Sequence, residues 1–438
     1  MRVAYRLAAL LAAMITGLMF IATAPASAAG HRTLWREFYT SGTPADESGA
    51  LAEAVSPDSA TVYVAGFTGY TSQEGATGGA TLAYDAATGA TRWTATTPST
   101  STDVIVPQAV AVSPDGTTVF DSGYYQTRSA FGAVTIAYNA ATGASVWMQR
   151  HAGVDTPISV AVSPDGSRLF VMTEGGEILA YATATGHLLW AVSPSASYFA
   201  TAAALSPDGS KVFITGNGQT AAYDAGTGAL LWSQQYGSAS AGAPLVNGTS
   251  LAVSPDGSTV YVAGTSNHVT HGGIVAYAST SGTIEWATVV PRIFGGSATA
   301  KVPAVAVAPG GATLFVTGGG RDSRGNSDLV TQARAASTGT ALWSRHYESK
   351  VPESDTGPGN IAVSPNGSAV FVTGTISTPG EEFNTTLGYK AGTGATLWNQ
   401  GAGGAAATVV SPDGSKVFVC GTEQFGTQHE FATTAFRS

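Results

Sequence analysis

Short apolar runs alternate with tight turns along most of this chain, from about residue 50 to its end. The first recurring pattern is an alternating β run, a turn of the Ser-Pro-Asp-Gly type and a second β run. Its eight copies begin at Leu51, Ala109, Ser159, Ala202, Ser250, Ala304, Asn360 and Thr408. The second pattern is a β run, a Thr-Gly-type turn and a Trp, and its seven complete copies begin at Ala83, Ala137, Ala180, Ala222, Ala276, Ala333 and Gly388. Because both patterns repeat about every fifty residues without helical periodicity between them, they predict four short antiparallel strands per unit.

The repeat predicts an all-β fold, an eight-bladed β-propeller in which each unit forms one blade of four antiparallel strands. A β-solenoid is the competing repeat fold, but its coils are much shorter and lack two hairpins per unit. The eighth copy of the second pattern is divided between the two ends of the chain, as HRTLW from His31 and FATTAFRS from Phe431. We therefore expect residues near Thr33 to Phe38 to pair with residues near Phe431 to Arg437, which closes the last blade and the ring.

All eight tryptophans occupy the same slot of the second pattern, one in each blade: Trp35, Trp93, Trp147, Trp190, Trp232, Trp286, Trp343 and Trp398. Propeller blades diverge from the axis, so large rings belong at the periphery and small side chains near the centre. The first strands agree, because they repeat small side chains two residues apart, as in Ala109 and Ala111. The tryptophans are therefore interpreted as core residues that dock neighbouring blades, not as a platform for a cofactor.

The second pattern resembles the tryptophan-docking motif of the quinoprotein dehydrogenase-like, or PQQ-like, propellers, written A-x-D-x-x-T-G-x-x-x-W. Ala83, Asp85, Thr88, Gly89 and Trp93 match every position of that motif. The turns of the first pattern resemble those of YVTN and WD-like secreted propellers, and the stretch from Trp343 is similar to bacterial SBBP-type repeats. These resemblances together cover nearly the whole predicted mature chain. They imply the propeller fold and say little about function, because one fold hosts many unrelated functions.

Catalytic members of the quinoprotein family imply a site that this sequence lacks. In them the cofactor pyrroloquinoline quinone (PQQ) stacks on a Trp at the propeller centre, often against a disulfide of adjacent cysteines, and acidic and amide groups hold calcium. This chain has no Trp outside the docking slots and a single cysteine, Cys420. We therefore expect no PQQ, and no feature of the sequence supports calcium. A metal- or quinone-dependent oxidoreductase or hydrolase with a site in the central channel is the alternative, so enzymatic activity is left open.

The first 28 residues have the pattern of a secretory signal peptide, because Arg2 and Arg6 precede an apolar run that ends in small residues at Ala26 to Ala28. A transmembrane anchor is the alternative, but the run is shorter than the roughly 20 apolar residues that a bilayer requires. The sequence thus predicts a signal peptide at 1–28, a single propeller domain at 29–438, and a secreted, extracellular protein without membrane insertion after cleavage.

The net charge argues against a nucleic-acid ligand. Removing residues 1–28 takes away two of the 19 basic residues and none of the 28 acidic ones, so the mature charge is 17 − 28 = −11. A nucleic-acid binder requires a basic surface instead. Loops with aromatic and Arg residues suit a protein or carbohydrate partner. The sequence therefore predicts a monomer that binds a partner of one of these two classes.

Residues that depart from the repeat cluster in connections on one side of the predicted ring. We call this side the long-loop face, and we call the side that carries the Ser-Pro-Asp-Gly and Thr-Gly turns the SPDG face. Variable loops on a regular scaffold often carry function. The candidates on the long-loop face are Tyr124, Tyr125, Arg128, Arg292, Arg321, Asp322, Arg324, Glu381 and Glu382. They predict a non-catalytic binding or scaffold module that uses this face, without catalytic or metal-binding residues.

Two carboxylates interrupt otherwise apolar strand positions and are candidate groups of the central channel. Glu53 takes a first-strand position that holds Val110 in the next blade, and Asp121 takes a second-strand position that holds Val171. An ionised carboxylate that is buried without a partner costs several kcal/mol, so each should find a hydrogen bond, water or a cation, or stay protonated. The repeated Asp of the turns, such as Asp165, is instead expected to cap its own turn.

Overall fold

The computed structural model describes residues 32–40, 47–70, 76–97, 99–100, 103–194, 198–236, 247–265, 271–291, 304–321, 327–348, 355–378, 381–402, 404–425 and 428–438. The predicted signal peptide at 1–28 lies outside these residues, so its cleavage stays a prediction. The regular elements of the described part are β-strands, all within the compact unit Thr33–Ser438. No helix in this part is long and apolar enough to span a membrane.

The described strands form eight antiparallel sheets, each a propeller blade whose four strands are hydrogen-bonded in the order first to fourth. Blade 1 consists of Glu47–Val55, Thr61–Tyr70, Gly78–Asp85 and Thr91–Thr96; blade 2 of Asp103–Val112, Thr118–Thr127, Phe131–Asn139 and Ser145–Ala152; blade 3 of Pro157–Val162, Arg168–Thr173, Ile178–Ala182 and Leu188–Val192; and blade 4 of Ala200–Leu205, Lys211–Gly216, Gln219–Asp224 and Leu230–Gln235.

The second half of the ring follows the same plan. Blade 5 consists of Asn247–Val253, Thr259–Thr265, His271–Ala278 and Ile284–Pro291; blade 6 of Ala304–Val307, Thr313–Arg321, Ser327–Ala335 and Ala341–Glu348; blade 7 of Asp355–Val363, Ala369–Thr378, Glu381–Lys390 and Thr396–Ala402; and blade 8 of Ala407–Val410, Lys416–Phe425, Gln428–Arg437 and Thr33–Tyr39. Blade 2 carries a further short strand, Ser99–Thr100, beside its first strand. The first strands of successive blades contact one another, and that of blade 8 contacts that of blade 1. The eight-bladed β-propeller predicted from the repeat is confirmed.

Blade 8 is built from both ends of the described chain. Its fourth strand, Thr33–Tyr39, pairs antiparallel with its third strand, Gln428–Arg437. In this register Trp35 lies opposite Ala435, and Tyr39 lies opposite Phe431. The predicted pairing of the two ends is therefore confirmed.

The turn between the first and second strands of a blade is held by its own side chains. In blade 3 the carboxylate of Asp165 accepts hydrogen bonds from Ser163 Oγ at 2.5 Å and from the backbone N–H of Ser167 at 3.0 Å. These bonds lower the pKa of Asp165 to about 2. Gly166 supplies the left-handed backbone conformation, with φ of 73°, that the turn needs. The repeated Asp thus caps its own turn, as the sequence predicted.

The tryptophans join neighbouring blades at the end that carries the Thr-Gly turns. Trp93, on the fourth strand of blade 1, donates its indole N–H to the backbone oxygen of Ala140 in blade 2 at 2.8 Å. A Cβ on Gly143 of that blade's Thr-Gly turn would lie 2.7 Å from the indole ring, so this approach requires glycine. Trp35 of blade 8 donates to the backbone oxygen of Ala86 in blade 1 at 3.2 Å. The tryptophan contacts therefore continue through the junction at which the ring closes.

The blades differ in how far their second and third strands extend toward the long-loop face. These two strands have 10 residues each in blades 7 and 8. They have 6 and 5 residues in blade 3, and 6 each in blade 4. A strand rises about 3.3 Å per residue, so four extra residues add about 13 Å. Blades 3 and 4 consequently form a low sector of the long-loop face, and blades 7 and 8 form a high sector.

Candidate binding face

The SPDG face repeats the same short groups around the ring. Successive turns lie close together, because a Cβ added at Gly166 would lie 3.7 Å from Cδ of Pro114 and one added at Gly209 would lie 2.6 Å from Cδ of Pro164. The carboxylate of Asp208 is engaged by Ser206 Oγ at 2.5 Å and by other groups of its own turn. A ligand would therefore meet nearly identical surfaces at each of these turns.

Exposed aromatic rings mark the long-loop face of blades 1, 2 and 4. Tyr70 ends the second strand of blade 1, Phe131 begins the third strand of blade 2, and Phe199 directly precedes the first strand of blade 4. Their exposed fractions are 40%, 42% and 52%. Sequence reasoning did not select these three residues, because each stands where a strand meets a turn and the alternation does not define its side. Their aromatic character beside a turn was the only available signal.

Tyr124 and Tyr125 lie within the second strand of blade 2, which corrects the loop placement expected from the sequence. Side chains alternate along a strand. Tyr124 therefore stacks on Phe131, with ring centroids 5.8 Å apart, and stays half-buried. Tyr125 points to the opposite side and is only 5% exposed, with the guanidinium carbon of Arg150 4.8 Å from its ring centroid. Of the two tyrosines, Tyr124 is the one that can present part of its ring to a ligand.

The charged candidates occupy a turn and two strands. Arg128 is exposed in the tight turn between the second and third strands of blade 2. Arg321 ends the second strand of blade 6, and Glu381 and Glu382 begin the third strand of blade 7. Arg321, Glu381 and Glu382 therefore lie on strands and not in the expected loops. In blades 6 and 7 backbone pairing continues to the ends of these hairpins, as between Glu381 and Thr378.

The remaining candidates, Arg292, Asp322 and Arg324, lie outside the described residues. Their contribution to the long-loop face stays a prediction.

Among the described candidates, the structure brings Tyr124, Arg128 and the exposed Phe131 together at the end of blade 2.

Carboxylates adjoin Phe199 in the low sector. The backbone N–H of Ala200 donates to the backbone oxygen of Glu174 at 2.6 Å, which places Phe199 beside the turn between the second and third strands of blade 3. Burial and the neighbouring Asp155 raise the pKa of Glu174. Glu177 accepts a hydrogen bond from the hydroxyl of Thr173 in the same turn. This part of the face combines an apolar ring with negative charge.

Glu53 and Asp121 are placed in the junctions between blades and not at the wall of the channel. Glu53 pairs across the strands with Val64, and Val110 pairs in the same way with Asp121. The two carboxylates therefore occupy the same cross-strand pair of two successive blades, on the side that faces the preceding blade. The side chains of a blade project perpendicular to its sheet, toward the neighbouring blades, which explains why the channel placement expected from the sequence is wrong.

Asp121 has partners in its junction. It is 2% exposed, and its carboxylate accepts a hydrogen bond from Thr81 Oγ1 of blade 1 at 2.5 Å. Burial raises the pKa of Asp121 to about 7, although the Thr81 bond lowers it. The phenol of Tyr138 lies close enough for Asp121 to raise its pKa further.

Glu53 lacks comparable partners. Neither of its buried carboxyl oxygens has a hydrogen-bond partner among the described residues. Burial raises its pKa to about 8, and the backbone N–H of Val409 in blade 8, which lies near without completing a hydrogen bond, lowers it. Burial therefore favours the protonated form of Glu53.

The residues present do not fit the quinone stack of the catalytic quinoproteins. All eight tryptophans lie on fourth strands, at the periphery of the blades. Cys420, which could form no disulfide within the chain, is buried on the second strand of blade 8. The described residues also contain no group of three or more His, Cys, Asp or Glu side chains that could hold a metal ion. The expectation that the chain binds no cofactor stays a prediction.

Comparison with known proteins agrees with the ring geometry. A family model described as outer membrane protein assembly factor BamB matches residues 130–334, from the third strand of blade 2 to the third strand of blade 6. The PQQ-like resemblance inferred from the second pattern is thereby confirmed, whereas the resemblance of the turns to other repeat families stays a prediction. No curated protein sequence matches this chain.

Solved propellers superpose on most of the chain at low sequence identity. BamB from Moraxella catarrhalis aligns with a TM-score of 0.52 and 17% identity, over 83% of this chain and 94% of that one. The Dos1 propeller aligns with a TM-score of 0.60 and 14% identity, over 93% and 94%. Sqt1 from Chaetomium thermophilum gives 0.60 and 14%, over 90% and 97%. At such identities the similarity shows the propeller fold alone.

Proposed function

We propose that this chain is a secreted scaffold propeller that binds a protein partner through its long-loop face. The observation that carries the proposal is the set of exposed aromatic rings there, Tyr70, Phe131 and Phe199. Aromatic residues are enriched at protein interfaces because they combine a large apolar area with few rotatable bonds. The description of the matched family model as an assembly factor supports a non-catalytic role of this kind.

The chemistry of the face favours a partner with apolar and basic groups. Phe199 adjoins Glu174 and Asp155 in the low sector of this face. A cationic side chain of the partner would gain from the carboxylates, and an apolar one would cover the ring. A glycan is the second candidate ligand, because stacked rings such as Tyr124 and Phe131 also suit a sugar face.

Capture of a partner from culture medium tests the proposal. The mature chain would be immobilised and compared with a Phe131→Ser, Phe199→Ser double variant, which removes two exposed rings. We expect a partner that is retained by the wild type and lost by the double variant. Leu342→Ser is the matched control, because Leu342 is 57% exposed on the outermost strand of blade 6 and lies away from the long-loop face.

Two outcomes would contradict the proposal. A partner that binds the double variant and the wild type equally well would place the functional face elsewhere. Retention that is lost equally with Leu342→Ser would show nonspecific hydrophobic capture. An Arg321→Ala, Arg324→Ala variant extends the test to the predicted basic candidates, and a glycan array with the same variants separates the two ligand classes.

Secretion and the absence of a cofactor are parts of the proposal with their own measurements. The N-terminal sequence of protein recovered from medium should begin at Ala29 if the signal peptide is cleaved as expected. Purified protein should show no stoichiometric calcium, zinc or quinone. Stoichiometric metal together with hydrolase or oxidoreductase activity would favour the enzyme alternative.

A further inference from the structure

The junction between blades 8 and 1, which we call the 8/1 seam, holds several buried polar groups without hydrogen-bond partners. The carboxyl oxygens of Glu53 and the hydroxyl of Thr433 lack partners among the described residues. Cys420 is fully buried in the same seam, packed with Val64 and other apolar residues of blade 1. Burial, and to a lesser extent the nearby Glu53, raises the pKa of the Cys420 thiol.

Equivalent positions in blades 3 to 7 are filled by apolar pairs, and blade 8 has Thr408 opposite Val419. Val160 and Val171 take the positions of Glu53 and Val64 in blade 3, and Leu251 and Val262 take them in blade 5. Asp121 is the other acid at such a pair, but Thr81 of blade 1 donates a hydrogen bond to it. Among the described blades, the unpartnered acid at this pair is therefore a property of the 8/1 seam.

The groups that face this seam supply no buried cation among the described residues. On the blade 8 side, Glu37 and Tyr39 of the fourth strand and Cys420 of the second strand approach Tyr84 of blade 1 and raise its pKa, in addition to its burial. All of these groups are acidic or neutral, so none would stabilise an ionised Glu53. The backbone N–H of Val409 in blade 8 does favour the anion, but by less than burial disfavours it.

Polar contacts hold both ends of the seam. At the long-loop face, Glu47 Oε1 of blade 1 and His429 Nδ1 of blade 8 lie 3.0 Å apart. At the SPDG face, the backbone N–H of Asp413 in blade 8 donates to Ser59 Oγ of blade 1 at 3.0 Å. Ser59 has a positive φ of 61°, which is unfavourable for a residue with a Cβ. The hydrogen bond from the indole N–H of Trp35 in blade 8 to the backbone oxygen of Ala86 in blade 1 also holds the two blades together.

We propose that the ring opens locally at the 8/1 seam and that ionisation of Glu53 drives this opening as the pH rises. In the closed seam the Glu53 carboxyl keeps its proton, since burial disfavours the anion more than the nearby backbone N–H of Val409 favours it. In the open seam water solvates the carboxylate, so the pKa of Glu53 returns to the ordinary value for glutamate, 4.5. Each proton released on opening makes opening more favourable at higher pH.

Cys420 provides a native reporter of the opening, because it is the chain's only cysteine and lies in this seam. The rate at which N-ethylmaleimide modifies it in the folded protein depends on how often the seam opens. The matched control is Ala263→Cys in a Cys420→Ala background. Ala263 occupies the same position on the second strand of blade 5, is fully buried, and packs in the cluster that joins blades 5 and 6. Dividing the two rates removes the intrinsic pH dependence of thiol modification.

The expected result is a rate ratio, Cys420 over the Cys at position 263, that grows between about pH 6 and about pH 8. With the carboxyl pKa raised from 4.5 to about 8, one released proton increases the opening equilibrium by roughly tenfold to fiftyfold over this range. Glu53→Gln should make the ratio independent of pH. Glu53→Leu, which restores the residue type of Leu251, should do the same and keeps the test valid if the Gln variant folds poorly.

Three results would overturn the proposal. A ratio that stays constant with pH in the wild type removes the role of ionisation. A pH-dependent ratio that persists in both Glu53 variants assigns the titration to another group. Modification of Cys420 that is no faster than that of the control cysteine at about pH 8 shows that the 8/1 seam opens no more readily than the others.

Discussion

At the SPDG end of a blade, the turns and most of the docked tryptophans are held by hydrogen bonds within a blade or to its neighbour. Asp165 is hydrogen-bonded within its turn, Gly166 lies near Pro114 of the preceding blade, and Trp93 donates a hydrogen bond to Ala140 of the next blade. At the long-loop end, the strands stop at different heights and Phe199 lies half exposed. The first end repeats because it builds the ring, whereas the second is free to vary because the ring does not depend on it.

Substitution of a docked tryptophan tests the structural role of the SPDG end most strongly. Trp232 is buried, packs against Phe213 and Tyr277 with centroids 6.1 and 5.9 Å away, and donates to the backbone of Ser279. Trp232→Ala should lower the free energy of unfolding by about 3–5 kcal/mol, because the neighbouring blades cannot fill the cavity. Chemical denaturation measures the change, and added PQQ should not restore it.

Leu230→Ala on the same strand is the control, since Leu230 is exposed. A Trp232→Ala protein as stable as this control would show that docking does not hold the blades together.

Substitution of Asp121 tests how a buried carboxyl in the middle of a blade, between the two ends, affects stability. Its pKa is raised from 3.8 to about 7, so the native state retains a proton that the unfolded chain loses. The stability contributed by this group is therefore fully present below about pH 4 and declines as the pH rises toward 7. Asp121→Asn should remove this decline and stabilise the protein at pH 8 by up to about 4 kcal/mol.

The free energies of unfolding of both proteins at several pH values give the measurement. If Asp121→Asn leaves the slope between pH 4 and pH 7 unchanged, Asp121 is ionised in the folded state.

Removal of one turn carboxylate should have a smaller effect. Asp208→Ala abolishes the hydrogen bonds from Ser206 and Ser210, which should cost about 0.5–1.5 kcal/mol near neutral pH. The pKa of Asp208 is lowered to about 2, so its contribution is present above pH 4 and is lost as the pH falls toward 2. Thermal melts at both pH values measure it.

Asp155→Ala on the long-loop face is the matched control, because Asp155 is exposed beside Glu174. Equal losses of stability for the two variants would contradict the division between the ends.

The smallest change in stability is expected for the Phe131→Ser, Phe199→Ser variant. Both rings are substantially exposed, so the free energy of unfolding should stay within about 0.5 kcal/mol of the wild type. Binding of the partner should be lost. A large drop in stability would show that these two aromatic side chains help to hold the blades together. The contrast between the two ends of the blades would then be wrong.

The sequence predicted those features that the repeat determines. The eight blades and the pairing of Thr33–Tyr39 with the strand that contains Phe431 followed from a period and a divided motif. Each blade repeats the same turn motif, so a strand or turn that is ambiguous in one copy can be assigned from the other copies.

The candidate site was predicted only in outline, because its residues occur once. No turn signal separates strand from loop in the hairpin of blade 2, so Tyr125 was placed in a loop although backbone pairing continues through it. Phe131 and Phe199 were missed because each stands where a strand meets a turn, and the alternation of side chains does not define which side is exposed there. Glu53 was recognised as unusual, but the direction of its side chain required the cross-strand register.

The composition of blade 8 has a consequence for the order of folding. Blades 1 to 7 are each formed from consecutive strands, so their hairpins close short loops and can form early. Blade 8 must bring Tyr39 to Phe431 across almost the whole described chain. The entropic cost of closing a loop grows with its length. The contacts within blade 8 offset this cost only after the intervening blades have formed and brought the two ends closer together. We therefore expect closure of the ring to be the last and slowest step of its formation, with unpaired strand edges exposed at blade 8 until then.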